Sequence, residues 1–392
     1  MIGATGSAAS RRRFLQLLAG SPLLASGGAD EAVLADLKDA LNVLEFEAAA
    51  RKAIPPAHFG YLATGVDATV RANREALARI QLRPRRLIDV SKVDMSVELL
   101  GTKWETPILL APVANQRAFH SEGEAGVARA AKQKRTLQVL STFSSYSVEE
   151  VNREGGRPVW FQLYPTSSLA VAERVVKRAE AAGCPVLVLT TDIPAGRNPE
   201  TQKRFERLDK RQCSSCHGPS MPASSFRRPI FEGLDVAGLV PYNATLTWDY
   251  VDRLRRMTRM KLVLKGIVTR EDARLCREHG ADAIVVSNHG GRAEETGRAT
   301  IESLPEVLDG AGPALPVLID GGFRRGADIF KALAFGARAV AIGRPYVWGL
   351  GAFGQAGVEK VIDLLQAELR LIMQQCGARS LAQIARQSVT GL

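Results

Sequence analysis

Eight short apolar runs, rich in valine, isoleucine and leucine and separated by stretches of helical spacing, constrain the fold of this chain more than any other feature. Residues 108–113, 136–141, 159–164, 186–192, 261–265, 283–287, 317–320 and 339–342 read as strands. A run of about four to eight apolar residues bounded by turn signals marks a strand buried on both faces. Between them, residues 122–134, 168–182, 270–279 and 327–335 space their apolar side chains as helices do. Strands without a polar face need helices to cover them, which is the condition of a parallel sheet. Eight such strands with helical crossovers predict an α/β fold, the (β/α)8 TIM barrel. A barrel takes about 250 residues, so 392 residues leave room for an N-terminal helical segment over 34–52 and a long loop after strand 4, over 193–247.

The reactive residue types gather at the ends of the last three strands. Ser287-Asn288-His289-Gly290-Gly291-Arg292 closes the sixth, Asp320-Gly321-Gly322-Phe323-Arg324-Arg325 the seventh, and Gly343-Arg344-Pro345 the eighth. A neutral imidazole is a ready proton acceptor near pH 7, and a guanidinium forks onto a carboxylate. Glycine and arginine at successive strand ends are how such a barrel builds an anion site beside its chemistry. A rim histidine that merely satisfies its neighbours is the alternative for His289.

The three linked motifs, S-N-H-G-G-R, I-D-G-G-F-R-R-G-A-D-I-F-K-A-L-A-F-G-A and A-I-G-R-P, resemble the FMN-dependent 2-hydroxy-acid dehydrogenases and oxidases, the glycolate oxidase and L-lactate dehydrogenase group. The likeness runs from about Leu44 to about Ala385. It implies FMN as cofactor and a small 2-hydroxy acid, such as lactate, mandelate or glycolate, as substrate. His289 would be the base, Asp192 its orienting carboxylate, and Arg292 and Arg197 the clamps on the substrate carboxylate. Tyr61 and Tyr164 match the family's two active-site tyrosines; core packing is their plainer reading. Pro112, Val113, Ala114, Ser141, Gln162, Thr190 and Ser287 would line the flavin ring and ribityl chain, with Lys265 near N1 and O2. Asp320, Gly321, Gly322, Arg324, Gly343 and Arg344 would hold the ribityl and phosphate end. Some positions depart from the pattern. Ala195-Gly196-Arg197-Asn198 is about two residues short of the family's spacing, so Arg197 or Asn198 occupies that place. Asn115 stands for an apolar residue and Phe143 for a tryptophan.

A net charge of +11 and a pI of 9.6 raise the question of nucleic acid. The basic residues are scattered, in Arg83-Pro84-Arg85-Arg86 and over 203–211 and 253–259, without interleaved aromatics, so no nucleic-acid partner is expected. Ser10-Arg11-Arg12-Arg13-Phe14-Leu15 precedes an apolar stretch over 17–25 too short to span a bilayer. It looks like a twin-arginine export signal, with a basic tail as the alternative. The expected organisation is a leader over 1–35 and a barrel domain over 36–392, exported to the periplasm and assembled as a homo-oligomer.

Cys184, Cys276 and Cys376 sit in apolar or helical surroundings and read as inert core thiols. Cys213-Ser214-Ser215-Cys216-His217 has the C-x-x-C-H pattern of covalent haem c attachment, with His217 as iron ligand. A disulfide and a partial zinc site are its alternatives. A cytochrome or quinone is then the expected electron acceptor. Rival readings are an oxygen-using oxidase, a barrel flavoprotein that modifies a peptide-derived cofactor precursor, and an isomerase working with reduced flavin. The full His, Arg and Asp set argues against the isomerase. A mere electron carrier would leave that set unexplained.

Overall fold

A computed structural model describes residues 33–211 and 226–391. The eight apolar runs form β1 (Ile108–Leu110), β2 (Leu137–Ser141), β3 (Trp160–Leu163), β4 (Val186–Thr190), β5 (Lys261–Ile267), β6 (Ala283–Val286), β7 (Val317–Ile319) and β8 (Val340–Ile342). They pair in chain order, all parallel, and β8 closes on β1 with Val340 opposite Ile108. Side chains alternate across each strand. Leu109, Val139, Val188, Val263, Val285, Leu318 and Ala341 fill the barrel, while Leu110, Leu140, Leu187, Leu264, Ile284 and Ile342 pack outward with the helices. Both layers are buried, which is why the strands read as unbroken apolar runs. Val97, Leu99 and Trp104, from a hairpin over residues 97–104, join the interior cluster.

The N-terminal segment differs from the single helix expected over 34–52. A 3-10 turn at Leu37–Asp39 is followed by α1 (Glu45–Ala53). Asn42 Oδ1 accepts from Leu44 N at 2.9 Å and Glu45 Oε2 from Leu41 N at 2.9 Å. These side chains take backbone donors that a continuous helix would need, so the chain breaks between the two pieces. Next come α2 (Pro56–Ala63), opened by a proline at its first position, and α3 (Asp67–Arg79).

The long segment after β4 is not an open loop where it is described. It contains α7 (Glu200–Leu208), numbered after α4 (Gly123–Gln133), α5 (Val148–Gly155) and α6 (Leu169–Ala181). α7 lies directly on α2. A Cβ on Gly60 would stand 2.5 Å from Phe205 Cβ, so only glycine lets the helices approach this closely. Asp209 Oδ2 also accepts from Ala57 N at 3.2 Å. Tyr61 is thereby held over the C-terminal mouth of the barrel. The remaining helices are α8 (Trp248–Met257), α9 (Arg270–Glu278), α10 (Thr300–Ala311), α11 (Gly326–Phe335) and α12 (Arg344–Gln375), the last kinked at Phe353 and Gly354. Among the described residues no helix is long and apolar enough to cross a membrane.

Candidate active site

The turn after β6 places its histidine by a pair of amides. Asn288 and Asn73, on α3, exchange side-chain hydrogen bonds at 3.0 Å in both directions, and Gly291 N donates to Asn288 Oδ1 at 3.0 Å. His289 itself takes φ 57°, a left-handed conformation unusual for a residue with a side chain. His289 N donates to Ser287 Oγ at 3.0 Å, which also accepts from Lys265 Nζ at 2.7 Å and donates to Asp320 Oδ1 at 2.7 Å.

His289 Nδ1 lies 2.9 Å from Asp192 Oδ1, and Nε2 lies 3.3 Å from the Tyr164 hydroxyl. Burial would raise the Asp192 carboxyl, but His289 and Lys265 outweigh it and hold it below the usual range. Burial lowers the imidazole pKa of His289 despite Asp192 beside it. The histidine is therefore neutral at pH 7. An ionised carboxylate only accepts, so Nδ1 carries the proton and Nε2 presents its lone pair to the barrel mouth. Burial alone would lower the pKa of Lys265; Asp320 and Asp192, 3.3 and 3.6 Å from its ammonium, raise it instead.

Asp192 reaches this place because residue 266 is glycine. Gly266 has φ +108°, and a Cβ there would meet Asp192 Cβ at 2.7 Å and Asp192 N at 2.9 Å. Gly266→Ala is expected to cost about 1–3 kcal/mol of stability and to displace Asp192. A thermal melt read with turnover would check this, with kcat falling more than the loss of folded protein explains.

Above the histidine lie two guanidinium groups. Arg292 stacks on the Tyr61 ring at 4.2 Å and Arg197 at 5.4 Å. Arg292 Nε and Nη2 are buried and have no hydrogen-bond partner. Burial and the nearby Arg292 pull Arg197 down to about 10. Burial works to raise the Tyr61 hydroxyl, yet Arg292 and Arg197 together lower it. Such a pair calls for an anion. Burial pushes the Tyr164 hydroxyl well above its ordinary value, so it stays protonated; its ring stacks on both His289 and Phe143. Of the two candidates for the shortened motif's place, Arg197 stands over the Tyr61 ring, whereas the Asn198 amide turns to Glu200 at 3.0 Å.

Two cavities meet at His289. One is walled by Pro112, Val113, Ala341 and Ile342, and Lys265, Asp320, Gly321, Gly322, Arg324, Gly343 and Arg344 are also among its lining. A Cβ on Gly322 would stand 2.6 Å from Asn73 O, whereas one on Gly343 would project into open space. Burial, chiefly, pulls Arg324 down to about 10 and Arg344 to about 9, and neither makes an ion pair among the described residues. Gly343 opens α12, so helix-end N–H groups are on hand for the same anion. A cleft with apolar side walls that ends in half-buried cations and bare backbone fits the flat ring and phosphate tail of FMN. The other cavity is lined by Ala114, Asn115, Phe143, Arg197, Arg228 and Tyr242 among others.

Ser141, Gln162 and Thr190 are buried at neighbouring strand ends, with Gln162 Nε2 donating to Thr190 Oγ1 at 2.9 Å. Cys213, Cys216 and His217, and the leader, fall outside the described residues. Cys184, Cys276 and Cys376 are free and buried, the first two pushed up to about 12 by burial. Sequence reasoning missed Asn73, which sits 215 positions from its partner Asn288 with nothing local to flag it, and Arg228, which looks like one more basic residue in a basic loop.

The family model for FMN-dependent dehydrogenase matches residues 50–391. Glycolate oxidase 1 of Oryza sativa subsp. indica is 42% identical over 363 residues, covering 89% of this chain and 95% of the relative, and glycolate oxidase of Spinacia oleracea is 40% identical. Among solved structures, a mandelate oxidase superposes with a TM-score of 0.79 at 38% identity, covering 90% of this chain and 98% of that one. A flavocytochrome b2 superposes with a TM-score of 0.80 at 30% identity, covering 92% and 89%.

Proposed function

The chain belongs to the FMN-dependent dehydrogenase family, whose chemistry is the FMN-dependent oxidation of a 2-hydroxy acid, and on that premise we propose the roles of its residues and the fate of its electrons. Arg292, with Arg197, clamps the substrate carboxylate against Tyr61. His289 takes the hydroxyl proton at Nε2, and Asp192 holds the ring in the required tautomer and steadies the imidazolium. The Tyr164 hydroxyl, kept protonated, is a hydrogen-bond donor at the same point. FMN, when bound, supplies the acceptor for the Cα hydrogen and its two electrons, which leaves the 2-oxo acid. Lys265 holds a buried positive charge for the ring, and Arg324, Arg344 and the glycines at 321, 322 and 343 hold the phosphate tail. One observation carries this reading. A histidine oriented by a buried carboxylate stands next to a guanidinium whose Nε and Nη2 have no partner.

We further propose export by the twin-arginine route, from the Ser10-Arg11-Arg12-Arg13-Phe14-Leu15 motif, and electron delivery to a cytochrome or quinone. The C-S-S-C-H segment supports a covalent haem c, with Cys213 and Cys216 as attachments and His217 as ligand. Assembly as a homo-oligomer belongs to the same reading. Transfer to oxygen is the second reading, supported by relatives of 40–42% identity that are named glycolate oxidases. Protein exported from a host that matures c-type haem separates the two. Reduction of cytochrome c or a quinone analogue, with covalent haem stain lost in Cys216→Ser, is the expected result. Stoichiometric peroxide without haem would favour the oxidase.

A further inference from the structure

We propose that Glu124 is a positioning residue for the substrate pocket: it holds the turns after β1 and β2 and the segment around Arg228 on one buried carboxylate, and thereby sets which 2-hydroxy-acid side chains the pocket admits. This rests on the reading of the site just given, with the substrate side chain in the cavity that Asn115, Phe143 and Arg228 line. Glu124 lies in the first turn of α4 and is fully buried. Its Oε1 accepts from Gln116 N at 3.0 Å and from Ser145 N at 2.9 Å. One oxygen thus fixes the spacing of two turns, and the wall residues Asn115 and Phe143 stand one and two positions from those donors. Asn115 N donates to Phe143 O at 3.1 Å and Arg117 N to Ser145 Oγ at 3.3 Å, which completes the junction. A Cβ on Gly123 would stand 2.7 Å from Arg117 Cγ and 3.1 Å from the Tyr146 ring, so both turns are pressed against the start of the helix.

The third segment comes from beyond β4. Phe226 and Phe231, on either side of Arg228, pack against Phe143 at 6.0 and 5.9 Å, and Phe143 stacks on Tyr164 at 5.3 Å, beside the base. Burial raises the Glu124 carboxyl, whereas the N–H groups of Gln116 and Ser145 and the charge of Arg228 act to lower it. Arg228 on the cavity wall is therefore within electrostatic reach of the carboxyl beneath the two turns, and opposite charges attract more strongly where water is excluded. Among the described residues Glu124 Oε2 has no hydrogen-bond partner, so Oε1 alone carries the two turns. A close-packed wall held by one anchor keeps one width, and a wall of fixed width discriminates among side chains.

The test measures kcat/KM of the FMN-loaded full chain for glycolate, (S)-lactate, (S)-2-hydroxyhexanoate and (S)-mandelate, with flavin content and a thermal melt reporting folding. Glu124→Gln keeps an oxygen for the two N–H donors but loses the charge that faces Arg228. The spread between the best and the worst acid is expected to narrow by about threefold or more, the scale of one ordinary hydrogen bond. Arg228→Gln should narrow it likewise, and adding it to Glu124→Gln should narrow it little further, because the two residues act as a pair. A role in stability alone would lower all four acids by one factor, and that result overturns the proposal, as does a wild type that treats the four alike or a double variant whose losses multiply. If Glu124→Gln does not load flavin, Arg228→Gln decides alone, and a spread that it leaves unmoved overturns the proposal. If none of the four acids reduces the flavin, the reading of the site fails and this proposal falls with it.

Discussion

His289→Gln is expected to retain FMN but to reduce it with substrate about 10²- to 10⁴-fold more slowly, the range for loss of a positioned base. Glutamine offers a neutral amide of similar reach, so the contacts to Asp192 and Tyr164 are partly kept while the basic lone pair is lost. The left-handed turn around residue 289 is held by Ser287 and by the Asn73–Asn288 pair, neither of which the substitution touches. Stopped-flow bleaching of the flavin checks it, and near-normal bleaching would remove His289 from its role. The wild-type pH profile carries the same assignment. Because burial lowers the imidazole pKa, the acid limb of kcat/KM should lie below the ordinary histidine value of about 6.5. Activity is present above that limb and lost as the pH falls through it. A limb shifted upward would mean that Asp192, and not burial, dominates.

Arg292→Met should lower kcat/KM by about 10²- to 10³-fold, since a bidentate charged contact to the carboxylate is lost and each such bond contributes roughly 1.5–3 kcal/mol. Methionine preserves the packing on Tyr61, where the guanidinium now stacks. The protein should therefore remain folded and yellow. Arg197 lies on the same ring but farther away, so Arg197→Met should cost less, and the double variant should lose less than the two losses combined because both bind one group. Steady-state kinetics on one 2-hydroxy acid suffices, and an Arg292→Met enzyme of normal KM and kcat would contradict the clamp.

The barrel was legible because its strands are buried on both faces, and a buried strand announces itself as an apolar run whatever its partners. The reactive turns were legible because their residues are contiguous. What the chain hid were features made by contact across it. The helix expected over 34–52 breaks because Asn42 and Glu45 capture backbone donors, a choice that periodicity does not record. α7 is assigned to a loop by composition, yet Gly60 lets it dock on α2. Arg197 looks misplaced by its spacing, and its position over Tyr61 depends on how the segment after β4 folds back. Ser141, Gln162 and Thr190 were legible as polar residues at strand ends, and the structure buries all three there.

The most direct test is an anaerobic titration of the FMN-loaded protein with a panel of (S)-2-hydroxy acids, followed by absorption. The account predicts that the oxidised flavin bands bleach while one equivalent of 2-oxo acid appears per flavin, and that His289→Gln abolishes the fast phase. Flavin that stays oxidised with every acid on the panel would contradict it.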